Sequence, residues 1–340
     1  MREADIRPAD LLTTYLDLSR RDAETFFPDP STLERAACPG CGADSERFVP
    51  QYTKHGFNIV ECRNCRTLFV SPRPTAAQLE AFYRDSPSTD YWAKTFFPAV
   101  AEARRVKIFA PRAARALELA RAARIAPHTV FDVGSGYGLF LQELSKLLVD
   151  GDLRAIEPGR ALAKHCRASG IRTFEGYGEE ALEDPDWRGN ADLVASFEVI
   201  EHLPEPLRFL EMLRELARPG GLILISGLCG DGLDIRTLGP RSNAVSPPHH
   251  LTFLSQTGAH ALLARTGLEC ISFETPGQLD VDILRTALKA DDSIINDPEL
   301  RRILLDDNDA VRDALQKSLV AECRSSHMWI LARRPKESSA

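Results

Sequence analysis

The chain has 340 residues, of which 44% are hydrophobic and 27% are charged, and its formal net charge is −7. This length suffices for one large domain and a smaller one. The acidic balance argues against a nucleic-acid-binding protein, which usually presents a basic face. No apolar run approaches the roughly 20 residues that span a bilayer, and the charged first ten residues lack the apolar centre of a secretory signal. We therefore expect a cytoplasmic protein without a membrane partner, whose eight cysteines are metal ligands or buried thiols.

Residues 1–36 form a predicted N-terminal helical arm. Leucines and a tyrosine between Leu11 and Leu18 follow a partly helical spacing, and Pro28 and Pro30 end the segment. Nothing in this arm indicates chemistry. We expect it to pack against the rest of the chain or to support a homodimer.

Two C-x2-C pairs lie in residues 37–72, at Cys38/Cys41 and Cys62/Cys65, with twenty residues between them. Each pair can direct two sulfurs at one metal ion, and two pairs supply the four thiolates of a closed tetrahedral zinc site. Short alternating runs between and after the pairs predict strands. The segment is therefore predicted to be a zinc ribbon that holds one structural Zn²⁺, because four thiolates leave no coordination position for a substrate. A redox dithiol is the weaker interpretation.

Residues 73–127 are predicted to form a helical lid or linker. A long helix is expected over residues 99–125, with Pro111 kinking it or dividing it in two. Tyr83, Tyr91 and Trp92 precede this helix. They form either an aromatic lid over a ligand pocket or ordinary packing contacts.

A strand, a glycine-rich turn and a helix follow between residues 130 and 148. The apolar run around Asp132 is a predicted strand, and Gly134, Gly136 and Gly138 alternate in the turn after it. Predicted strands and helices then alternate as far as residue 275. Repeated β-α units of this length imply a parallel sheet that is covered on both faces. Ligands of such sheets bind beyond the carboxyl ends of the strands.

Glu157 ends the next predicted strand, at a distance along the chain that suits a carboxylate binding ribose hydroxyls. The glycine spacing D-x-G-x-G-x-G differs from the G-x-G-x-x-G of dinucleotide sites. An acid at Asp132 would repel a pyrophosphate but suits the cationic amino group of an amino-acid moiety. The residues thus favour an adenosine ligand that carries an amino acid.

Four motifs together resemble those of the class I S-adenosylmethionine-dependent methyltransferases. They are D-x-G-x-G-x-G, Ile156–Pro158, Phe197–Leu203 and Arg218–Gly221. The resemblance covers residues 125–275 and 325–335. It implies a Rossmann-like, seven-stranded, doubly wound sheet in residues 128–335, with a helical insert at 277–326 before the last strand. The zinc ribbon followed by Ser71–Pro74 further resembles a bacterial subgroup that methylates sugars, antibiotic precursors and related small metabolites.

The resemblance implies that S-adenosylmethionine is the cofactor and assigns residues to it. The loop glycines pass close to its methionine part, Glu157 holds its ribose, and residues around Tyr177 flank its adenine, although many relatives have an acid at that position. The implied cofactor-binding residues are Asp132, Gly134, Ser135, Gly136, Gly138, Glu157, Pro158, Tyr177, Gly178, Glu179, Phe197 and Glu198.

Three histidines are candidates for the base that deprotonates a hydroxyl acceptor: His202, His249 and His250. Each could equally be a capping, packing or solvent-facing residue. A related zinc-containing subgroup that methylates carbon in deoxysugars carries Tyr-His-Glu-His in the region where this chain has Pro247–His250. Because the tyrosine and the glutamate are absent, we expect O-methylation of a sugar or natural-product hydroxyl rather than C-methylation of a deoxysugar.

Two further alternatives stay open. An RNA methyltransferase could use Arg63, Arg66 and Arg73 of the ribbon region for phosphate contacts, although the acidic balance makes a nucleic-acid partner unlikely. A non-catalytic binding protein could retain the fold without turnover. The acceptor pocket is expected to be built from the lid, residues 227–248 and the insert.

Overall fold

The computed structural model describes residues 2–336 of the chain. Its strands are β1 (Phe48–Lys54), β2 (Phe57–Cys62), β3 (Leu68–Val70), β4 (Thr129–Val133), β5 (Asp152–Glu157), β6 (Arg172–Glu175), β7 (Ala191–Phe197), β8 (Ala217–Leu228), β9 (Thr252–Phe253), β10 (Glu269–Glu274) and β11 (His327–Arg333). Its α-helices are α1 (Ala9–Phe26), α2 (Ala76–Asp85), α3 (Pro87–Tyr91), α4 (Phe97–Arg104), α5 (Ala110–Ala122), α6 (Leu139–Ser145), α7 (Arg160–Ala168), α8 (Gly178–Ala181), α9 (Pro206–Leu216), α10 (Leu233–Leu238), α11 (Gln256–Arg265), α12 (Asp280–Ala290), α13 (Pro298–Leu305) and α14 (Asp309–Ala321).

The larger sheet has seven strands in the order β10-β11-β8-β7-β4-β5-β6. The pairs of β4 with β5 and β7, of β5 with β6 and of β7 with β8 are parallel, whereas β11 is antiparallel to both of its neighbours. The central strands are buried almost throughout, because helices cover both faces of the sheet. The predicted Rossmann-like, doubly wound fold is confirmed.

The ribbon sheet is joined to the large domain through β9. Its order is β1-β2-β3-β9, and β9 lies in the segment between β8 and α11 of the large domain. From α11, which follows β9, the Arg265 guanidinium also donates to the carbonyl of Gly40 (N···O 2.9 Å). The ribbon therefore packs directly beside the segment that carries His249 and His250.

A nearly continuous helical stretch runs from Pro87 to Ala122. Two five-residue π-helical segments, Trp92–Phe96 and Arg105–Phe109, separate α3, α4 and α5. Pro98 and Pro111 lie in the first turns of α4 and α5, where their missing N–H groups are tolerated. The stretch begins before the residue that the sequence predicts, and Pro111 does not divide it.

The N-terminal helix α1 packs on this stretch. The ring of Tyr15 lies 5.2 Å from the ring of Trp92 and 5.5 Å from that of His249, measured between centroids. The arm therefore reaches the side of the protein that carries the predicted catalytic histidines. A role in dimerisation stays a prediction.

The segment between β10 and β11 contains α12, α13 and α14, in agreement with the predicted helical insert. These helices bury a small apolar cluster of their own, which also takes in Leu238 of α10. The division of the chain into separate domains stays a prediction. None of the helices in residues 2–336 combines the length and apolarity that a membrane span requires.

Candidate active site

The glycine turn after β4 has the backbone conformation that its sequence predicts. Gly134, Gly136 and Gly138 have φ values of 74°, 55° and 67°, in the left-handed region that favours glycine. A Cβ on Gly134 would lie 2.7 Å from Val199 Cγ2, whereas a Cβ on Gly136 would meet no atom within 4 Å. The turn therefore packs closely on one side and leaves its backbone open at Gly136.

Glu157 lies at the carboxyl end of β5 and holds the glycine turn. The N–H of Gly136 donates to Glu157 Oε2 (2.7 Å), and the N–H of Gly159 donates to Oε1 (2.8 Å). Burial raises the pKa of Glu157, and these two donors oppose that shift by favouring the ionised form. Each carboxylate oxygen keeps further lone pairs, so Glu157 can accept hydrogen bonds from a ligand while it holds the turn.

A cleft of about 510 Å³ opens beside these residues. Its lining includes Gly134, Pro158 and the segment Gly176–Glu179. Gly178 packs against Met212, since a Cβ at this position would lie 2.4 Å from Met212 Sδ. Tyr177 is largely exposed at the rim, so its side chain is free to move toward a ligand.

Asp132 lies within β4, beneath the turn, and is only 3% exposed. Burial raises the pKa of Asp132 to about 7, although the positive charge of Arg112 opposes this shift. Ser135 and Gly136 contact Cys166 of α7: the Ser135 Oγ–Cys166 Sγ distance is 3.7 Å, and the Cys166 thiol donates to the Gly136 carbonyl. The contacts with Cys166 hold Ser135 and Gly136 of the glycine turn against α7.

Glu198 follows β7 directly and has a left-handed backbone conformation with φ of 58°. Its Oε1 accepts hydrogen bonds from Arg112 Nη2 (3.0 Å), Ser226 Oγ (2.5 Å) and His327 Nε2 (2.7 Å). Despite burial, the positive charges of His327 and Arg112 hold the pKa of Glu198 well below its usual range. A left-handed non-glycine residue held by three donors is typical of a functional site.

Sequence reasoning missed Arg112 and His327. Arg112 lies on α5, is buried, and has its guanidinium 4.5 Å from the centroid of the Phe197 ring. His327 is the first residue of β11, and the antiparallel course of this strand brings its start opposite Leu228, at the carboxyl end of β8. An antiparallel last strand begins at the edge of the sheet where the parallel strands end. Knowledge of its orientation would therefore have identified His327 as a candidate site residue.

The three predicted histidines lie together but make different contacts. His202 Nδ1 donates to the His249 carbonyl (2.8 Å), and His250 Nδ1 donates to the Ala244 carbonyl (2.6 Å). The ring centroids of His202 and His250 are 4.8 Å apart. Burial lowers the pKa of His202 and lowers that of His250 to about 3, so both imidazoles are neutral at neutral pH.

His249 occupies a packed position. Its Nε2 lies 3.0 Å from Ser88 Oγ, and the rings of Tyr15, Phe82 and Tyr83 surround it at centroid distances of 4.8–6.0 Å. The side chain is only 4% exposed. His249 therefore connects the lid helices to the core, whereas His202 and His250 donate from Nδ1 and carry the lone pair of the neutral ring on Nε2.

The predicted zinc ligands come together. The four sulfurs of Cys38, Cys41, Cys62 and Cys65 all lie within 4.8 Å of one another. Two of the distances are 3.5 Å (Cys38–Cys65) and 3.6 Å (Cys41–Cys62), close to the roughly 3.8 Å that separates thiolates around a tetrahedral zinc ion. The cluster fits a tetrahedral metal ion.

Comparison with known proteins agrees with this architecture. A family model described as a methyltransferase domain matches residues 103–272, which is half of the chain. The ubiquinone biosynthesis O-methyltransferase of Methylococcus capsulatus is 34% identical over 108 residues, covering 31% of this chain and 45% of that protein. Its counterpart from Colwellia psychrerythraea is 35% identical over 107 residues, covering 29% and 41%. The chain thus aligns with less than half the length of these relatives.

Solved structures with a similar fold were also found. A plantazolicin methyltransferase in complex with S-adenosylhomocysteine is 14% identical, with a TM-score of 0.49, over 76% of this chain and 95% of that one. A methyltransferase from Archaeoglobus fulgidus that depends on S-adenosylmethionine is 17% identical, with a TM-score of 0.46, over 70% and 99%. From the family match, this chain belongs to the class I S-adenosylmethionine-dependent methyltransferases.

Proposed function

We propose that this enzyme methylates a hydroxyl group of a small molecule, namely a sugar or a natural-product intermediate. The observation that carries the proposal is the convergence of two groups of residues at one edge of the sheet. The glycine turn and Glu157 follow β4 and β5, and the polar residues Glu198 and His202 follow β7. A cofactor cradle and side chains suited to a hydroxyl acceptor thus lie at neighbouring strand ends.

The predicted cofactor residues fit S-adenosylmethionine. Gly136 leaves its backbone open to a ligand, Glu157 has lone pairs for ribose hydroxyls, and the cleft beside Gly178 has room for an adenine. The bound cofactor supplies an activated methyl group on a sulfonium. The protein then has to hold the acceptor oxygen in line with that methyl group and to accept its proton.

His202 and His250 are the histidines that we assign to the acceptor. Their Nδ1 atoms donate to backbone carbonyls, which leaves Nε2 as the acceptor of each ring. We assign His249 to positioning the lid, because Ser88 occupies its Nε2. The Glu198–His327 pair offers a second polar contact for the acceptor.

Transfer to oxygen agrees with the names of the relatives, which are O-methyltransferases. The surroundings of Arg73 argue against the alternative of an RNA methyltransferase, in which this residue would contact phosphate. This guanidinium is only 11% exposed and pairs with Glu34 (3.2 Å) and Glu205 (3.3 Å), so it offers little positive charge to a phosphate. We retain the small-molecule acceptor as the proposal.

We further propose that the four cysteines hold one structural Zn²⁺. The cluster lies beside β3, which pairs with β9, and β9 begins two residues after His250. The zinc would then fix the segment that carries His250. It would take no part in the chemistry, because four thiolates fill its coordination sphere.

A panel of hydroxylated acceptors tests the proposal. The enzyme would be incubated with S-adenosylmethionine bearing a labelled methyl group and with sugars, glycosides, hydroxylated aromatic compounds and bulk RNA. We expect label in a small molecule, as a methyl ether identified by mass spectrometry and NMR. The matched control is His260→Asn, an exposed histidine on α11, which should leave the rate unchanged while His250→Asn lowers it at least about tenfold. Label on carbon or on RNA would contradict the proposal.

A further inference from the structure

We propose that Glu201, His202 and His250 form a second metal site, distinct from the four cysteines, that binds a divalent first-row transition metal. Each residue offers one ligand atom, and the three atoms lie within 4.8 Å of one another. Around a metal ion with metal–ligand distances of about 2.1 Å, the ligand atoms lie roughly 3–4 Å from one another. Small side-chain rotations would bring these three atoms to that separation. The proposal rests on this geometry; with a metal bound, the imidazoles of His202 and His250 would act on an acceptor through the metal and not as free bases.

The two imidazoles are oriented as metal ligands usually are. A histidine that binds a metal commonly donates its other N–H to a carbonyl or carboxylate, which fixes the ring. His202 does so to the His249 carbonyl, and His250 does so to the Ala244 carbonyl. The Tyr83 hydroxyl also donates to the His249 carbonyl (3.2 Å), which strengthens this outer support. With Nδ1 as the donor, Nε2 of each neutral ring carries the lone pair that a metal ion would take.

Glu201 supplies the independent observation that points to a ligand. It is only 2% exposed, and its Oε2 is buried without a hydrogen-bond partner among the described residues. An unpaired buried carboxylate is costly, so such a group is usually paired with a charge or bound to a metal. Gly227 makes room for it, since a Cβ there would lie 2.8 Å from Glu201 Oε2.

Neighbouring side chains do not compete for the metal. Glu198 is already held by Arg112, Ser226 and His327. His249 Nε2 is directed at Ser88. The site therefore has two nitrogen ligands and one oxygen ligand, with further positions open for water or for an oxygen of an acceptor.

This ligand set predicts a different metal preference from that of the ribbon. Imidazole and carboxylate suit Mn²⁺, Fe²⁺, Co²⁺ and Zn²⁺, whereas four thiolates select Zn²⁺. Mn²⁺ binds thiolate clusters weakly. It can therefore probe the proposed site while the cysteines keep their zinc.

The test is a titration of the zinc-loaded, chelator-washed protein with MnCl₂, followed by electron paramagnetic resonance of free Mn²⁺. We expect one Mn²⁺ per chain in the wild type, and at least about a hundredfold weaker binding in Glu201→Gln and in His250→Asn. His260→Asn is the matched control and should bind as the wild type does. Equal binding by Glu201→Gln and the wild type, or no wild-type binding at 1 mM Mn²⁺, would overturn the proposal.

A second measurement separates metal binding from misfolding. Glu201→Gln removes an unpaired buried acid, so we expect the metal-free variant to melt at or above the wild-type temperature. Mn²⁺ should raise the melting temperature of the wild type but not that of the variant. A variant that retains its ribbon zinc and still shows the Mn²⁺ shift would also overturn the proposal. Neither measurement depends on turnover.

Discussion

Two buried aspartates at the base of the insert differ in the donors around them. Asp280 accepts hydrogen bonds from Ser325 Oγ (2.6 Å), the Ser326 N–H (2.7 Å) and Gln316 Nε2 (2.7 Å). Asp234 is 1% exposed, and its two carboxylate oxygens are buried near Asp280. Burial and the adjacent charge of Asp280 raise the pKa of Asp234 to about 7. Asp234 therefore titrates near neutrality.

Replacement of Asp234 by asparagine should change how stability depends on pH. The pKa of Asp234 is higher in the folded protein than in the unfolded chain, so its contribution is fully present below about pH 4 and is lost as the pH rises through 7. Asp234→Asn should remove this loss. At pH 8 its free energy of unfolding should exceed that of the wild type by on the order of 2–4 kcal/mol. Urea unfolding at pH 4, 6 and 8 measures the difference. A difference that does not grow with pH would refute the assignment.

Individual site residues were predictable to the extent that their signal is local. The cysteine pairs and the loop glycines are defined by spacing within a few residues, because one turn fixes their geometry. Arg112 and Glu201 were missed for a physical reason. A guanidinium stacked on Phe197 and an orphaned carboxylate are defined by long-range packing, which no local spacing encodes.

Among the elements, β9 is the fourth strand of the ribbon sheet. β3 pairs with β9 through Leu68↔Phe253 and Phe69↔Thr252. The N–H of Leu251, just before β9, donates to the Glu201 carbonyl (2.7 Å). Damage to the ribbon should therefore reach the histidine segment through β9.

Loss of a ribbon cysteine should disturb the active site indirectly. Cys62→Ser should lower the zinc content below one ion per chain, lower the melting temperature and increase hydrogen exchange in β3 and β9. Cys270→Ser is the matched control, because this cysteine lies on β10 away from the ribbon. Metal analysis and exchange mass spectrometry measure the effects. If β9 in zinc-free Cys62→Ser kept the wild-type protection against hydrogen exchange, the ribbon and β9 would not be coupled.

Close packing of α11 against the ribbon gives a second prediction at this scale. A Cβ on Gly258 would lie 2.0 Å from Thr67 Oγ1, so Gly258→Ala should destabilise the protein by about 1–3 kcal/mol. Adding Thr67→Ala should recover part of that loss, because it removes the clashing hydroxyl. Thermal unfolding of the single and double variants tests this. Strict additivity of the two substitutions would count against the contact.

In the whole molecule, the alternation of strands and helices predicted a covered parallel sheet, and the family resemblance added the count of seven strands and the helical insert. The way the parts assemble was not predictable. Helix α1 covers the histidine segment through Tyr15, whereas the sequence predicted only that the arm packs against the rest of the chain or supports a homodimer. β9 extends the ribbon sheet, although the sequence assigned its residues to the methyltransferase domain. Both arrangements depend on contacts between residues far apart in the chain, which periodicity does not report.

The central claim is that the glycine turn and Glu157 hold the cofactor. Calorimetric titration with S-adenosylhomocysteine tests it most directly, on the wild type, on Gly136→Ala and on Gly170→Ala. Both glycines have positive φ, 55° and 81°, and a Cβ at either meets no atom within 4 Å, so both variants carry backbone strain without a clash, but only Gly136 lies in the loop that follows β4. We predict one site in the wild type, unchanged affinity in Gly170→Ala, and at least about tenfold weaker binding in Gly136→Ala. Equal affinity in all three proteins, or no binding to the wild type, would contradict the claim.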